Sequence, residues 1–194
     1  CPTTMTTGEE VIQKALLAAK ECADKPSEDG ARVVGVNMEG PFISVEKKGA
    51  QKAEYIVPPD FSLFEKYFER SGGLVRLVDI APEQPGGYGF AQKASRLCTV
   101  SIAHTTAGFD EAKTAFDSGV THATHLFNAM SGLSHRAPGV VGAVLADSRV
   151  RAELICDGIH IHPAVLQTAF QVLGRRAIVI SDSMRANGMP EGEP

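Results

Sequence analysis

The 194-residue sequence has no run of about 18 consecutive apolar residues, so no transmembrane helix is expected. It has no excess of positive charge: 19 Lys and Arg stand against 23 Asp and Glu, a formal net charge of −4. That balance gives no footing for nucleic acid or an anionic membrane surface. There is no CxxC. Cys1, Cys22, Cys98 and Cys156 are widely spaced, which fits reduced, mostly buried thiols of a cytoplasmic protein better than a paired-thiol metal or disulfide framework. No GxGxxG follows the first predicted strand and no GxxxxGK[ST] occurs, so the usual nucleotide-binding forms are disfavoured. No secretory leader is visible, although the sequence does not open on Met. It begins on Cys1-Pro2-Thr3-Thr4 and stops at Gly192-Glu193-Pro194, and neither end reads as a natural domain boundary.

What is present is alternation. Residues 7–23 read as a helix, with Thr7 and Glu10 at capping-box spacing and Val11, Ile12, Ala15, Leu16 and Ala19 as an apolar stripe. Residues 31–37 read as a buried strand that ends at Met38-Glu39-Gly40-Pro41. A polar loop with Lys47 and Lys48 follows. Asp60 then caps a helix carrying Phe61, Phe64 and Phe68, closed by Gly72-Gly73. Further strands are expected over 74–80, 98–103, 120–124, 150–156 and 177–180. Helices are expected over 88–97, around Phe109 to Phe116, and from Pro163 through Leu173. Gly132 to Gly142, with Arg136 inside it, reads as a glycine-containing loop, Gly139 and Gly142 being backbone punctuation.

Six strands with continuous apolar runs, separated by helices, argue for an α/β fold with parallel strands. An eight-stranded barrel normally needs about 250 residues. The expectation is therefore a partial (β/α)8 TIM-type barrel, residues 1–194 forming a single partial catalytic barrel domain.

In such a barrel, function sits at the C-terminal strand ends. Glu39, Glu83, His104, His125, His160 and Asp182 all fall there. A catalytic zinc-type site wants three imidazole or carboxylate ligands and one open position. Glu39, His104 and His125 supply that set, for a metal that activates water and polarises a carbonyl. Asp182 is placed to accept the water's proton and pass it on. His122 and His125 are three apart and face opposite sides of a regular strand; His125, nearer the end, is taken as the ligand and His122 as a structural histidine. His162 precedes Pro163 and is leaving its strand, so only His160 of that pair is taken as functional. Glu83 is expected as a rim salt-bridge partner.

The motifs Met38-Glu39-Gly40-Pro41-Phe42, Ala81-Pro82-Glu83, Ser101-Ile102-Ala103-His104-Thr105, Thr124-His125-Leu126-Phe127-Asn128-Ala129-Met130, Arg136-Ala137-Pro138-Gly139, Asp157-Gly158-Ile159-His160 and Ser181-Asp182-Ser183-Met184-Arg185-Ala186 resemble, in order, the N-acetylglucosamine-6-phosphate deacetylase family of the amidohydrolase superfamily. The resemblance implies a barrel of the metal-dependent hydrolase type that lacks its first and last strands and the small β domain. It implies hydrolysis of the N-acetyl group of N-acetylglucosamine 6-phosphate to glucosamine 6-phosphate and acetate. It implies Glu39, His104 and His125 as metal ligands, with Zn the leading divalent ion and Fe, Co or Mn alternatives, and Asp182 as the catalytic acid/base. It implies His160 as a substrate contact near the amide, the Asn128 and Ala129 segment as a cradle for the sugar phosphate, and Arg136 as a phosphate ligand contributed across a homodimer. Gln51 stands where some members carry a substrate-binding His and would make a weaker phosphate contact. The superfamily's His-x-His on the first strand is absent. Two other readings stay open: an amidohydrolase with a different amide substrate, and a non-catalytic metal- or sugar-binding remnant.

Overall fold

A computed structural model describes residues 1–194 apart from 27, 185, 191, 193 and 194. Arg185 in the last of the motifs above therefore lies outside the described residues, as do Glu193 and Pro194 at the C-terminal end.

The chain runs β1 (Thr3–Thr4), α1 (Glu9–Asp24), β2 (Val36–Met38), α2 (Phe61–Arg70), β3 (Val75–Ile80), α3 (Gly87–Ala94), β4 (Thr99–Ile102), α4 (Phe109–Asp117), β5 (Val120–Ala123), α5 (Gly139–Ala146), β6 (Arg151–Ile155), α6 (Pro163–Leu173) and β7 (Ala177–Ile180). Among the described residues, seven strands pair in sequence order, β1 to β7, and every pairing is parallel. This is the wall of a partial (β/α) barrel. Parallel order puts every strand's C-terminal end on one side, which is what gathers the site residues.

The sequence predicts six strands. The seventh, β1, is two residues paired with Asn37 and Met38 of β2, too short to leave an alternation signal. β2 also starts later than expected, at Val36, because residues 31–34 run outside the sheet with Val34 exposed.

Local chemistry explains most helix ends. The Asp60 carboxylate accepts from the Ser62 and Leu63 N–H groups at 2.8 and 3.2 Å, a conventional N-cap. Gly72 and Gly73 close the other side of α2 with φ of 64° and 75°. At α6, Pro163 stands in the first turn and His162 caps it, its Nδ1 accepting from Ala164 N–H. The expected Thr7 capping box is not formed. α1 begins at Glu9 behind Gly8, without a side-chain cap, and buries Ile12 and Leu16 while Val11 stays outside.

α5 overturns part of the expected 132–142 loop. Its residues Val140, Val141, Ala143 and Val144 are fully buried, and a helix apolar all round is one enclosed by the core. Its two glycines are packing devices. A Cβ on Gly142 would stand 2.4 Å from the Pro138 side chain, and one on Gly139 (φ 61°) would stand 2.6 Å from the Gly132 carbonyl. The core joins these residues to strand residues such as Val78, Val100 and Leu154, and to Phe90, whose ring lies 4.9 Å from that of Phe42 and 5.4 Å from that of Phe64. The cysteines are not mostly buried: Cys1, Cys22 and Cys156 are exposed and Cys98 half-buried. Among the described residues, no helix is long and apolar enough to cross a membrane.

Candidate metal centre

Glu39 directly follows β2, and His104 and His125 each stand two residues beyond the ends of β4 and β5. The strands stop where the chain must turn sharply. Of the described non-glycine residues, those with positive φ are His104 (45°), His125 (35°), Phe127 (80°), Ala129 (52°) and Asp182 (47°). Such backbone costs on the order of 1–3 kcal/mol per residue and persists only where packing enforces it. Here all five lie on loops leaving the C-terminal ends of β4, β5 and β7.

The three expected ligands meet. His104 Nε2 lies 2.9 Å from Glu39 Oε1, His125 Nε2 lies 3.1 Å from His104 Nε2, and His125 Nε2 lies 3.9 Å from Glu39 Oε1. All three are buried, and one ligand atom from each falls within 4.8 Å of the others. The imidazoles stand edge to face at 87°.

Surrounding bonds aim these atoms. His104 Nδ1 donates to the Lys47 carbonyl at 2.7 Å, which turns the other ring nitrogen, Nε2, toward Glu39 and His125. The His104 carbonyl accepts from Ser44 N–H at 2.9 Å. Gln51 is buried beside Glu39: its Nε2 donates to Glu39 Oε1 at 2.9 Å and its Oε1 accepts from Thr6 N–H at 2.7 Å. Thr6 Oγ1 in turn donates to the Glu39 carbonyl. A carboxylate oxygen and two imidazole nitrogens thus converge in a buried place. A divalent cation would satisfy all three, and the donor set fits one.

Electrostatics follow the same geometry. Burial pushes the Glu39 carboxyl up, but the His104 hydrogen bond and the His125 charge outweigh it and hold it below the ordinary carboxylate value. Burial pulls His104 down, yet the Glu39 and Lys47 bonds carry it above the usual histidine value; His125 is lowered, by burial and by the neighbouring His104 charge. The charge of Asp182, exposed on the loop after β7, raises both imidazoles.

Sequence reasoning missed a polar layer behind this cluster. Asp79 of β3 is wholly buried, its Oδ1 accepting from Thr124 Oγ1 at 2.7 Å and its Oδ2 from Asn37 Nδ2 at 3.3 Å. Thr124 Oγ1 is 2.7 Å from Ser101 Oγ, which is 3.0 Å from His122 Nδ1. His122 Nε2 lies 3.6 Å from Glu153 Oε1. Burial raises Asp79 well above the carboxylate range and Glu153 to about 7, and lowers His122 to about 4. The available signal was an acidic residue inside each of two strands, Asp79 in β3 and Glu153 in β6.

The remaining expected residues divide. His122 packs into that polar layer, its Nδ1 3.0 Å from Ser101 Oγ. The alternation argument that separated it from His125 does not itself apply, because β5 stops at Ala123 and the turn at His125 resets the direction. Glu83 is a loop clamp rather than a salt-bridge partner: its carboxylate accepts from Thr105 Oγ1, Thr106 N–H and Thr106 Oγ1. Asn128 folds back, its Nδ2 donating to the His125 and Leu126 carbonyls, and the Ala129 carbonyl accepts from Thr105 N–H. Arg136 is exposed on a turn closed by Ser134 N–H and the Ala137 carbonyl. His160 is half-exposed on the loop after β6 and faces Asp157.

No protein-family model matches the chain. It is 40% identical over 195 residues to the N-acetylglucosamine-6-phosphate deacetylase of Lysinibacillus sphaericus, covering 98% of this chain and 50% of the relative. It is 35% identical over 192 residues to an N-acetylgalactosamine-6-phosphate deacetylase of Escherichia coli O157:H7, covering 98% of this chain and 51% of the relative. A substituted N-acetyl-D-glucosamine-6-phosphate deacetylase from Mycobacterium smegmatis, solved with N-acetyl-D-glucosamine-6-phosphate, is 31% identical and matches with a TM-score of 0.89 over 97% of this chain and 49% of that one. The chain spans about half the length of the curated relatives it matches.

Proposed function

We propose that this chain is the metal-binding part of a deacetylase barrel that hydrolyses the N-acetyl group of N-acetylglucosamine 6-phosphate to glucosamine 6-phosphate and acetate. The observation that carries the reading is the convergence of Glu39, His104 and His125 within 4.8 Å, in a sequence that matches such deacetylases over nearly its whole length.

Glu39, His104 and His125 would hold one divalent ion, zinc by the character of the donor set. Such an ion lowers the pKa of water and polarises the acetyl carbonyl. Asp182, on the loop beyond β7, accepts the proton of the attacking water and delivers it to the departing amine nitrogen. His160 meets the substrate near the amide. The Asn128-Ala129 turn and Arg136 hold the phosphate, Arg136 reaching across a homodimer of the full-length protein. Gln51 supports Glu39 through the bond described above. The whole of 1–194 serves as one catalytic barrel segment of a cytoplasmic enzyme.

A second reading differs only at one sugar carbon. A relative at 35% identity is named for the galactosamine epimer, so that hexosamine phosphate is the competing substrate. The test measures acetate release by the natural full-length polypeptide containing this sequence, with N-acetylglucosamine 6-phosphate, its galactosamine epimer and unphosphorylated N-acetylglucosamine. The proposal expects turnover of the first above the second and little of the third. It expects Asp182→Asn to lose at least about 100-fold in kcat with metal content unchanged. Equal turnover with and without the phosphate, or full activity of Asp182→Asn, contradicts it.

A further inference from the structure

His160 has a partner on its own loop. Asp157 stands two residues beyond the C-terminal end of β6, and its two carboxylate oxygens bond separately. Oδ1 accepts from Ile159 N–H at 2.8 Å and His160 N–H at 3.0 Å. Oδ2 lies 2.6 Å from His160 Nδ1. Gly158 between them takes φ 76° with open space around its Cα, which lets the loop bend the carboxylate towards its own ring. The backbone and ring hydrogen bonds hold the Asp157 carboxyl down at about 2, so at neutral pH it is ionised and only accepts.

An acceptor facing Nδ1 requires the proton to sit on Nδ1. We infer that Asp157 is a positioning residue that fixes His160 in the Nδ1–H tautomer and so presents Nε2 as the atom offered to ligand. In the neutral ring that atom accepts, from a sugar hydroxyl or a water. It donates, to a carbonyl or phosphate oxygen, only once the ring takes a second proton. The inference rests on the deacetylase reading for the identity of the ligand, but not for the state of the ring.

The substitution Asp157→Asn separates positioning from a merely structural turn. The two backbone N–H groups need an oxygen at the Oδ1 place, so the Asn amide oxygen stays there and its NH2 falls opposite His160 Nδ1. The turn survives, while the ring must now accept at Nδ1 and carry its proton on Nε2. Long-range proton–nitrogen NMR of the 194-residue chain, with His160 assigned through His160→Gln, reads this directly at a pH where the ring is neutral. The expected wild-type pattern has a protonated Nδ1 and an unprotonated Nε2, and Asp157→Asn inverts it. A wild-type ring protonated on Nε2, or an Asp157→Asn spectrum with the wild-type pattern, overturns the inference. Should Asp157→Asn fail to fold, the wild-type pattern alone still decides. Neither result depends on acetyl hydrolysis, so failure of the deacetylase reading would be seen separately in the activity assay.

Discussion

His122 and His125 stand three residues apart in one motif and experience opposite demands. His125 turns out of the sheet to meet His104 and Glu39, whereas His122 is locked in the polar layer behind them. Burial first, and the Arg151 charge second, hold His122 at about 4, below its ordinary 6.5. The sign of its effect on stability follows. As pH falls through 6.5 the unfolded chain takes up the proton before the folded one, so stability is lost from 6.5 down to about 4. His122→Gln removes that group. The stability advantage of the wild type over His122→Gln is expected to shrink by on the order of 3 kcal/mol between neutral pH and the folded pKa. Taking the difference reduces the opposing contribution of Glu153, whose raised value favours the folded state in acid. Denaturant unfolding across that range checks it, and a constant gap between the two proteins would contradict it.

At this scale the sequence was informative where chemistry demands rare residues at strand ends. Glu39, His104 and His125 were legible because imidazole and carboxylate recur at the ends of apolar runs. Asp79 and Glu153 were not, because a single acid inside a strand gives no sign of the partners that keep it there. Thr124 and Ser101 meet only through strand register. Gln51 was read as a substrate contact through family resemblance; its bonds to Glu39 and Thr6 depend on a loop fold that spacing does not encode.

Among elements, α5 shows how punctuation misleads. Gly139 and Gly142 suggested a loop, yet the helix between and beyond them is enclosed by its neighbours. Its C-terminal carbonyls cannot all reach water, and Arg176 serves them. Arg176 Nη1 donates to the carbonyls of Val144, Asp147 and Val150, and Nη2 to that of Leu145. A cation at a helix C-terminus also complements the helix dipole. Arg176→Met leaves these carbonyls without a charged donor and is expected to destabilise the fold by about 3 kcal/mol, since hydrogen bonds to charged groups are the stronger kind. Urea unfolding measures it, and a loss below about 1 kcal/mol would show that water or neighbouring N–H groups take over. The parallel strands were readable from continuous apolar runs, with the exception of β1, whose two residues carry no period.

For the whole molecule, seven parallel strands in sequence order bring residues from β2, β4, β5 and β7 to one rim. Strained backbone at His104, His125 and Asp182 marks the same rim. Both facts acquire a purpose if the rim holds a cation. The most direct test is elemental analysis of the purified 194-residue chain after dialysis against trace divalent ions, beside His125→Ala and, as a folded control with the cluster intact, Asp157→Asn. The wild type and Asp157→Asn should retain a stoichiometric divalent ion, zinc foremost, and His125→Ala should lose it. A wild-type chain that retains no ion, or a His125→Ala chain that retains as much as the wild type, would contradict the metal centre.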